Sequence, residues 1–100
     1  MSLSDETLEK LRNFLAKDSV MKAHATIRAV GGLTRYRIIA LLDRYPPGLT
    51  ATDLTTIFSA SPSKISHQIH ILRKHELIDG HKRGKMVVYQ LNENNARRFL

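Results

Sequence analysis

Apolar residues recur every three or four positions along most of this chain, which is the spacing of one face of an α-helix. Predicted helices of this kind cover residues 5–17, 18–30, 34–44, 50–60, 61–76 and 92–100. The pattern changes between residues 77 and 91, where Leu77-Ile78 opens one strand and the β-rich stretch MVVYQL forms a second. The pattern therefore predicts a mainly α fold with a small β-hairpin.

The predicted boundaries rest on capping residues and helix breakers. Thr34 is the predicted N-cap of the helix over residues 34–44, and Gly31-Gly32 is the predicted stop of the one before it. Tyr45-Pro46-Pro47-Gly48 is a strong breaker. The sequence leaves open whether residues 5–30 form two helices or one bent helix.

Residues 50–76 have the pattern of helix, short turn, helix, the arrangement in which the second helix enters the DNA major groove. Ser61 is a good N-cap for that second helix, and Pro62 sits at its first position, where its missing N–H costs nothing. The apolar stripe that faces the core consists of Ile65, Ile69 and Leu72.

The opposite face of this helix carries hydroxyl, amide, imidazole and ammonium groups, which are donors and acceptors for phosphates and base edges. No acidic residue occurs in the helix before Glu76, and a carboxylate there would be repelled by a phosphate array. The alternative is an ordinary solvated helix face. Residues predicted to contact double-stranded DNA from this helix are Ser61, Ser63, Lys64, Ser66, His67, Gln68, His70 and Arg73.

The turn between the two predicted strands is basic, since Lys82, Arg83 and Lys85 surround Gly84. Three cations in one turn favour a grip on phosphates or on the minor groove over a merely solvated turn. Arg35 is a further candidate for a phosphate contact, although a structural ion pair explains it equally well. A helix-turn-helix followed by a basic hairpin is a winged helix-turn-helix.

Length and composition narrow the classes of function. A chain of 100 residues with 42% hydrophobic content predicts one folded domain, and its net charge of +7 favours a polyanionic partner. It has no cysteine, no apolar run approaching the ~20 residues of a membrane span and a polar N-terminus unlike a secretion signal. We therefore expect a cytoplasmic protein with no membrane association.

Three stretches resemble the ArsR/SmtB family of winged-helix repressors: RAVGGLTRYRIIALL, SPSKISHQIHILRKHELI and HKRGKMVVYQL. The resemblance covers about residues 27–91. It implies a symmetric homodimer that binds an operator near a promoter and is released by an inducer, whose identity the sequence does not reveal. The implied organisation of the single domain, residues 1–100, has dimerisation helices over 1–30 and 92–100, the helix-turn-helix over 50–76 and the wing over 77–91.

The dimer interface also has a candidate in the N-terminal helix. Its apolar stripe consists of Leu8, Leu11, Phe14 and Leu15. This stripe either completes the core of one chain or forms the seam of a dimer. We favour the seam, because a helix stripe in front of a complete winged helix is otherwise exposed.

Departures from the family argue against a metal or other cofactor. Many members bind metals through a Cys-x-Cys segment, but Thr50 and Thr52 stand near those positions, and hydroxyls do not replace thiolates for soft metals. Residues 92–100 hold no histidine for the alternative site on the last helix. His67 and His70, one turn apart, have no third ligand in register.

Other classes of function fit less well. The sequence holds no glycine-rich phosphate loop, nucleophile motif or paired carboxylates, so an enzyme is not expected. No exposed aromatic pair is visible for stacking RNA bases. The main alternative is a protein-interaction winged helix that docks an acidic partner through its basic face.

Overall fold

The computed structural model describes residues 3–15 and 32–97 of the chain. In chain order the elements are α1 (Asp5–Leu15), α2 (helical over residues 32–44), β1 (Leu49–Thr50), α3 (Ala51–Phe58), α4 (Pro62–Lys74), β2 (Ile78–Arg83), β3 (Met86–Leu91) and α5 (Glu93–Ala96). The predicted winged helix-turn-helix class is confirmed. No helix in the described ranges is both long and apolar enough to cross a membrane.

Local capping fixes the turn between α3 and α4. Thr50 and Asp53 form a reciprocal capping box at the start of α3, with the Asp53 N–H donating to the Thr50 hydroxyl at 3.1 Å. Ser59 ends α3 in the left-handed conformation with a φ of 51°, and its N–H returns to the last turn. Ser61 then caps α4, so only a few residues separate the two helices and their relative direction is set locally.

The wing is part of a three-stranded antiparallel sheet with the order β1-β3-β2. The predicted hairpin is confirmed, and its register runs from Ile78 opposite Leu91 to Arg83 opposite Met86. Strand β1 was not predicted. Its two residues pair with Tyr89 and Val88 of β3, so the segment that leads into α3 also holds the wing.

The hydrophobic core lies between the helices and the inner face of this sheet. Its fully buried side chains include Ile38, Leu41, Leu42, Leu49, Leu54, Ile65, Leu72 and Ile78. Leu11 and Leu15 of α1 belong to the same cluster, at 4% and 9% exposure, and Leu8 and Phe14 pack against it. The prediction that this stripe is a spare dimer seam is therefore wrong for Leu11 and Leu15, because α1 folds back onto its own chain.

Two further boundaries differ from prediction or fall outside the described ranges. Thr34 is not an N-cap, because residues 32 and 33 are already helical; Gly32 has a φ of +78°, a conformation that glycine adopts without a Cβ penalty. The predicted helix over residues 18–30 and the apolar pair Phe99 and Leu100 lie outside the described residues.

The short helix α5 is tied to the end of α4 and to α2. The Asn95 side-chain amide donates to the Glu76 carbonyl at 3.0 Å, and the Asn92 N–H donates to the Leu77 carbonyl at 3.0 Å. Arg97 pairs with Asp43 of α2 at 3.0 Å and with Glu93. Each contact is modest at an exposed site, but together they hold the chain that follows the wing beside the base of α4.

Candidate nucleic-acid interface

Helix α4 separates an apolar face from a polar one, as predicted. Ile65, Ile69 and Leu72 are buried at 0%, 4% and 1% exposure, which anchors the helix against the core. The polar side chains turn outward: Ser63, Lys64, Ser66, His67, His70 and Arg73 are exposed, and Gln68 is half-buried. The first turn holds no acidic residue and the last turn holds Arg73 and Lys74. The exposed face of α4 therefore presents donors and cations without a carboxylate.

Ser61 has a structural task that limits its freedom. Its hydroxyl oxygen accepts the Lys64 N–H at 3.2 Å, and Pro62 occupies the first turn. A hydroxyl keeps one O–H donor while it accepts, so the cap remains compatible with a phosphate contact. Ser61 thus fixes where α4 begins and faces solvent at that end.

Arg35 and Gln68 meet between α2 and α4. The Arg35 Nε donates a hydrogen bond of 2.8 Å to the Gln68 Oε1, and the contact is part-buried. The ion pair considered for Arg35 from the sequence is therefore wrong, since its partner is a neutral amide. The bond joins residues 33 positions apart, and no sequence signal in either helix identifies it.

Arg73 lies between α4 and the wing. Its guanidinium carbon is 6.0 Å from the centre of the Tyr89 ring, within the range of a cation–π contact. A Cβ added at Gly80 would lie 3.5 Å from the same carbon, so the strand backbone also passes close by. Tyr89 was not singled out from the sequence, because its role depends on the packing of β3 against α4.

A shallow groove of about 510 Å³ runs along this junction. One side is lined by residues of α4, and Tyr89 and Ala51 close the other side. The α4 residues that line it are Ser66, Ile69, His70, Arg73 and Lys74. Because three of these five carry a cation or an imidazole, the groove continues the basic character of the exposed face toward the wing.

The wing tip is exposed and basic, as predicted. Lys82, Arg83 and Lys85 are all exposed, and Gly84 takes a φ of 63° in the turn between them. Arg83 also borders a cavity of about 660 Å³ that β1, β3 and the start of α1 line together. The three cations therefore lie on a two-stranded projection whose base is fixed to the core by β1.

Metal ligands do not cluster in residues 3–15 and 32–97. No group of three or more histidine or acidic side chains there could hold a metal ion. His67 and His70 are both exposed on α4, with no third such side chain beside them.

This architecture and its sequence match known regulators. The sequence model of the helix-turn-helix domain family matches residues 34–81 of this chain, from α2 to β2. The transcriptional repressor SdpR of Bacillus subtilis is 35% identical over 65 residues, which are 65% of this chain and 70% of that protein. This chain belongs to the helix-turn-helix family of transcriptional regulators. The HTH-type transcriptional regulator NmtR of Mycobacterium tuberculosis is 28% identical over 86 residues, 86% of this regulator and 70% of NmtR.

Solved structures agree on the fold of the regulator. MepR, a transcription regulator of the Staphylococcus aureus multidrug efflux pump MepA, superposes with a TM-score of 0.69 at 13% identity, over 95% of this chain and 70% of that one. A complex of MepR with DNA superposes with a TM-score of 0.65, also at 13% identity, over 98% and 74%. At this identity the likeness shows the winged helix-turn-helix fold alone.

Proposed function

We propose that this regulator is a homodimeric repressor of the ArsR type that binds a specific sequence of double-stranded DNA. Helix α4 reads the major groove and the β2–β3 wing grips the backbone or the minor groove. The observation that carries this proposal is the division of α4, whose apolar side is anchored in the core and whose exposed side holds donors and cations without a carboxylate. Such a face complements base edges and phosphates.

The two parts of the interface have different chemistry. Ser63, Lys64 and His67 lie in the first half of α4, the end that usually faces base edges. Lys82, Arg83 and Lys85 offer only cations, which suit phosphates or a narrow minor groove. We therefore assign sequence selection to α4 and mainly affinity to the wing. Ser61, Ser66, Gln68, His70 and Arg73 complete the proposed contacts from α4.

The relatives support a repressor that is not an enzyme. SdpR is a transcriptional repressor, and MepR has been crystallised with DNA on the same fold. The ArsR assignment rests on the three sequence stretches that resemble that family. A protein that acts on chromosomal DNA shares its compartment, so the expected cytoplasmic location follows from the proposal. The inducer is unspecified.

The domain organisation that we propose is the one expected from the sequence, except that Leu11 and Leu15 are not part of the dimer interface. The helix-turn-helix over residues 50–76 and the wing over 77–91 contact DNA, and the flanking segments 1–30 and 92–100 form the dimer. Leu11 and Leu15 of the first segment already serve the core of their own chain. The dimer interface therefore needs other residues of these two segments.

The test is binding at several salt concentrations to a duplex selected from a random library and to a scrambled duplex. We expect His67→Ala to cost on the order of 1–3 kcal/mol on the selected duplex and little on the scrambled one. Lys82→Ala should weaken both alike and reduce the salt slope by about one unit. Arg44→Ala, which removes an exposed cation of α2 outside both the proposed DNA contacts and the proposed dimer segments, is the matched control.

Two outcomes would contradict the proposal. Wing variants that change sequence preference, together with helix variants that do not, would reverse the assigned roles. The protein-interaction alternative would be favoured if the selection enriched no duplex and the regulator bound an acidic protein tightly instead.

A further inference from the structure

The Arg35–Gln68 hydrogen bond constrains what Gln68 can recognise. A glutamine amide carries one acceptor oxygen and one nitrogen with two N–H donors. Arg35 Nε occupies a lone pair of the Gln68 Oε1 at 2.8 Å, and arginine has no acceptor that could bond the amide nitrogen instead. The orientation of the amide is therefore fixed by chemistry: the oxygen faces Arg35 and the nitrogen faces away from it.

The bond is also stronger than an average side-chain contact. Its donor is a permanent cation and its surroundings are part-buried, so the interaction is charge-assisted and less screened by water. A cation on the oxygen also polarises the amide and strengthens its N–H groups as donors. Among the described residues, the Gln68 nitrogen has no hydrogen-bond partner within the protein.

An unconstrained glutamine on a recognition helix reads adenine, because its oxygen accepts from the adenine N6 amino group while its nitrogen donates to N7. That bidentate contact needs both amide atoms to face the same base edge. On Gln68 the oxygen is held toward α2 by Arg35. With the oxygen directed toward α2, the nitrogen is the group that reaches the groove, and its two N–H donors suit the adjacent N7 and O6 acceptors of guanine or the O4 of thymine. Adenine offers N7 as well, but its N6 amino group beside N7 is a donor and opposes a second N–H.

We propose that Arg35 is a positioning residue that turns Gln68 into a donor-only reader, so that α4 selects guanine or thymine rather than adenine at the base facing Gln68. Arg35 acts through Gln68 and not through a phosphate. This inference rests on the proposed function, since it requires α4 to lie in the major groove.

The experiment compares the sequence preferences of four proteins. Wild type, Arg35→Met, Gln68→Ala and the double variant each select duplexes from one random library. Binding is then measured on four duplexes that differ only at the position where Gln68→Ala loses preference. Thermal unfolding of each variant confirms that α2 and α4 remain packed.

We expect wild type to favour guanine or thymine over adenine at that position by about tenfold, the size of one good base contact. Arg35→Met should shift the preference toward adenine, because the freed amide can make both bonds. The same change in the Gln68→Ala background should have no effect on preference. Arg83→Met, which removes an exposed wing cation, should weaken all four duplexes alike.

Three results would overturn the inference. Wild type could prefer adenine at that position. Arg35→Met could weaken every duplex equally and lower the salt slope by about one unit, which would make Arg35 a phosphate contact. The effects of Arg35→Met and Gln68→Ala on base preference could also simply add in the double variant, which would show that the two residues are not coupled. If the protein does not bind a specific DNA sequence at all, wild type will enrich no duplex, and this result differs from the three above.

Discussion

Ser61 combines a structural and a proposed DNA-binding role in one hydroxyl group. Loss of an N-cap hydroxyl typically costs about 1 kcal/mol, and Ser61→Ala should lower the free energy of unfolding by about that amount. Ser61→Asp keeps a capping oxygen and places a negative charge at the favourable end of the helix, so stability should be retained. The carboxylate would still repel phosphates.

Urea unfolding and binding to a selected duplex separate these two effects. Ser61→Asp should bind DNA more weakly than Ser61→Ala although it is the more stable protein. An alanine variant as stable as wild type would show that Pro62 alone suffices to start α4.

Single residues also show where inference from sequence stops. The outward positions of Lys64 and His67 follow from helical spacing, because their buried neighbours recur with a fixed period. The bond between Arg35 and Gln68 follows from no such rule. It depends on how α2 crosses α4, and that crossing is set by packing over the whole core.

At the level of elements, the attachment of the wing depends on a close approach at Gly48. Its φ is +93°, and an added Cβ would lie 2.5 Å from the Val88 Cγ1 and 2.8 Å from the Tyr89 carbonyl oxygen. Gly48→Ala should therefore combine backbone strain with overpacking and lower the free energy of unfolding by about 3 kcal/mol.

Gly84 in the wing turn provides the matched control. Its φ is +63°, but nothing lies within 4 Å of an added Cβ, so Gly84→Ala should cost only about 1 kcal/mol of strain. Chemical denaturation of both variants gives the comparison. Equal losses would mean that β3 moves away from Gly48 at little cost.

The elements differ in how well the sequence predicts them. Strand β3 and helices α3 and α4 match their predicted spans closely, because capping groups, a proline and periodic apolar positions lie within each segment. Strand β1 has two residues and no pattern of its own. It exists only because Leu49 and Thr50 find partners on β3, about 40 positions later in the chain.

At the level of the whole molecule, we expect regulation without a zinc-type switch. The sequence has no cysteine, and the described residues hold no cluster of three histidine or acidic side chains. Stoichiometric zinc or cadmium should therefore leave binding to a selected duplex unchanged. A titration with submicromolar zinc affinity and loss of DNA binding would contradict this expectation.

The N-terminal helix changes how a dimer must be tested. Leu11 and Leu15 were expected at a dimer seam from amphipathicity alone, but such a pattern shows that a face is covered and not what covers it. Deletion of residues 1–17 would open the core of each chain. Lost dimerisation and lost folding would then be indistinguishable.

Changes in the DNA provide a test that leaves the protein intact. One recognition helix brings only three or four side chains to base edges, so a selective regulator needs two half-sites. A two-fold dimer requires these as an inverted repeat with centres about 10 base pairs, or a multiple, apart. Five inserted base pairs turn the second half-site to the opposite side of the duplex.

The selected inverted repeat should therefore lose affinity by about a hundredfold on that insertion, since the second contact is no longer intramolecular. The control is a duplex with the same two half-site sequences at their original spacing. Sedimentation of the complex with this duplex should give two protein chains for each duplex. A chain that sediments as a monomer at micromolar concentration and tolerates the insertion would contradict the dimer. If the insertion lowers affinity and two chains bind each duplex, the two α4 helices are held at a fixed distance from each other. Because Leu11 and Leu15 are buried in the core of their own chain, the contacts that hold the two chains together must involve other residues.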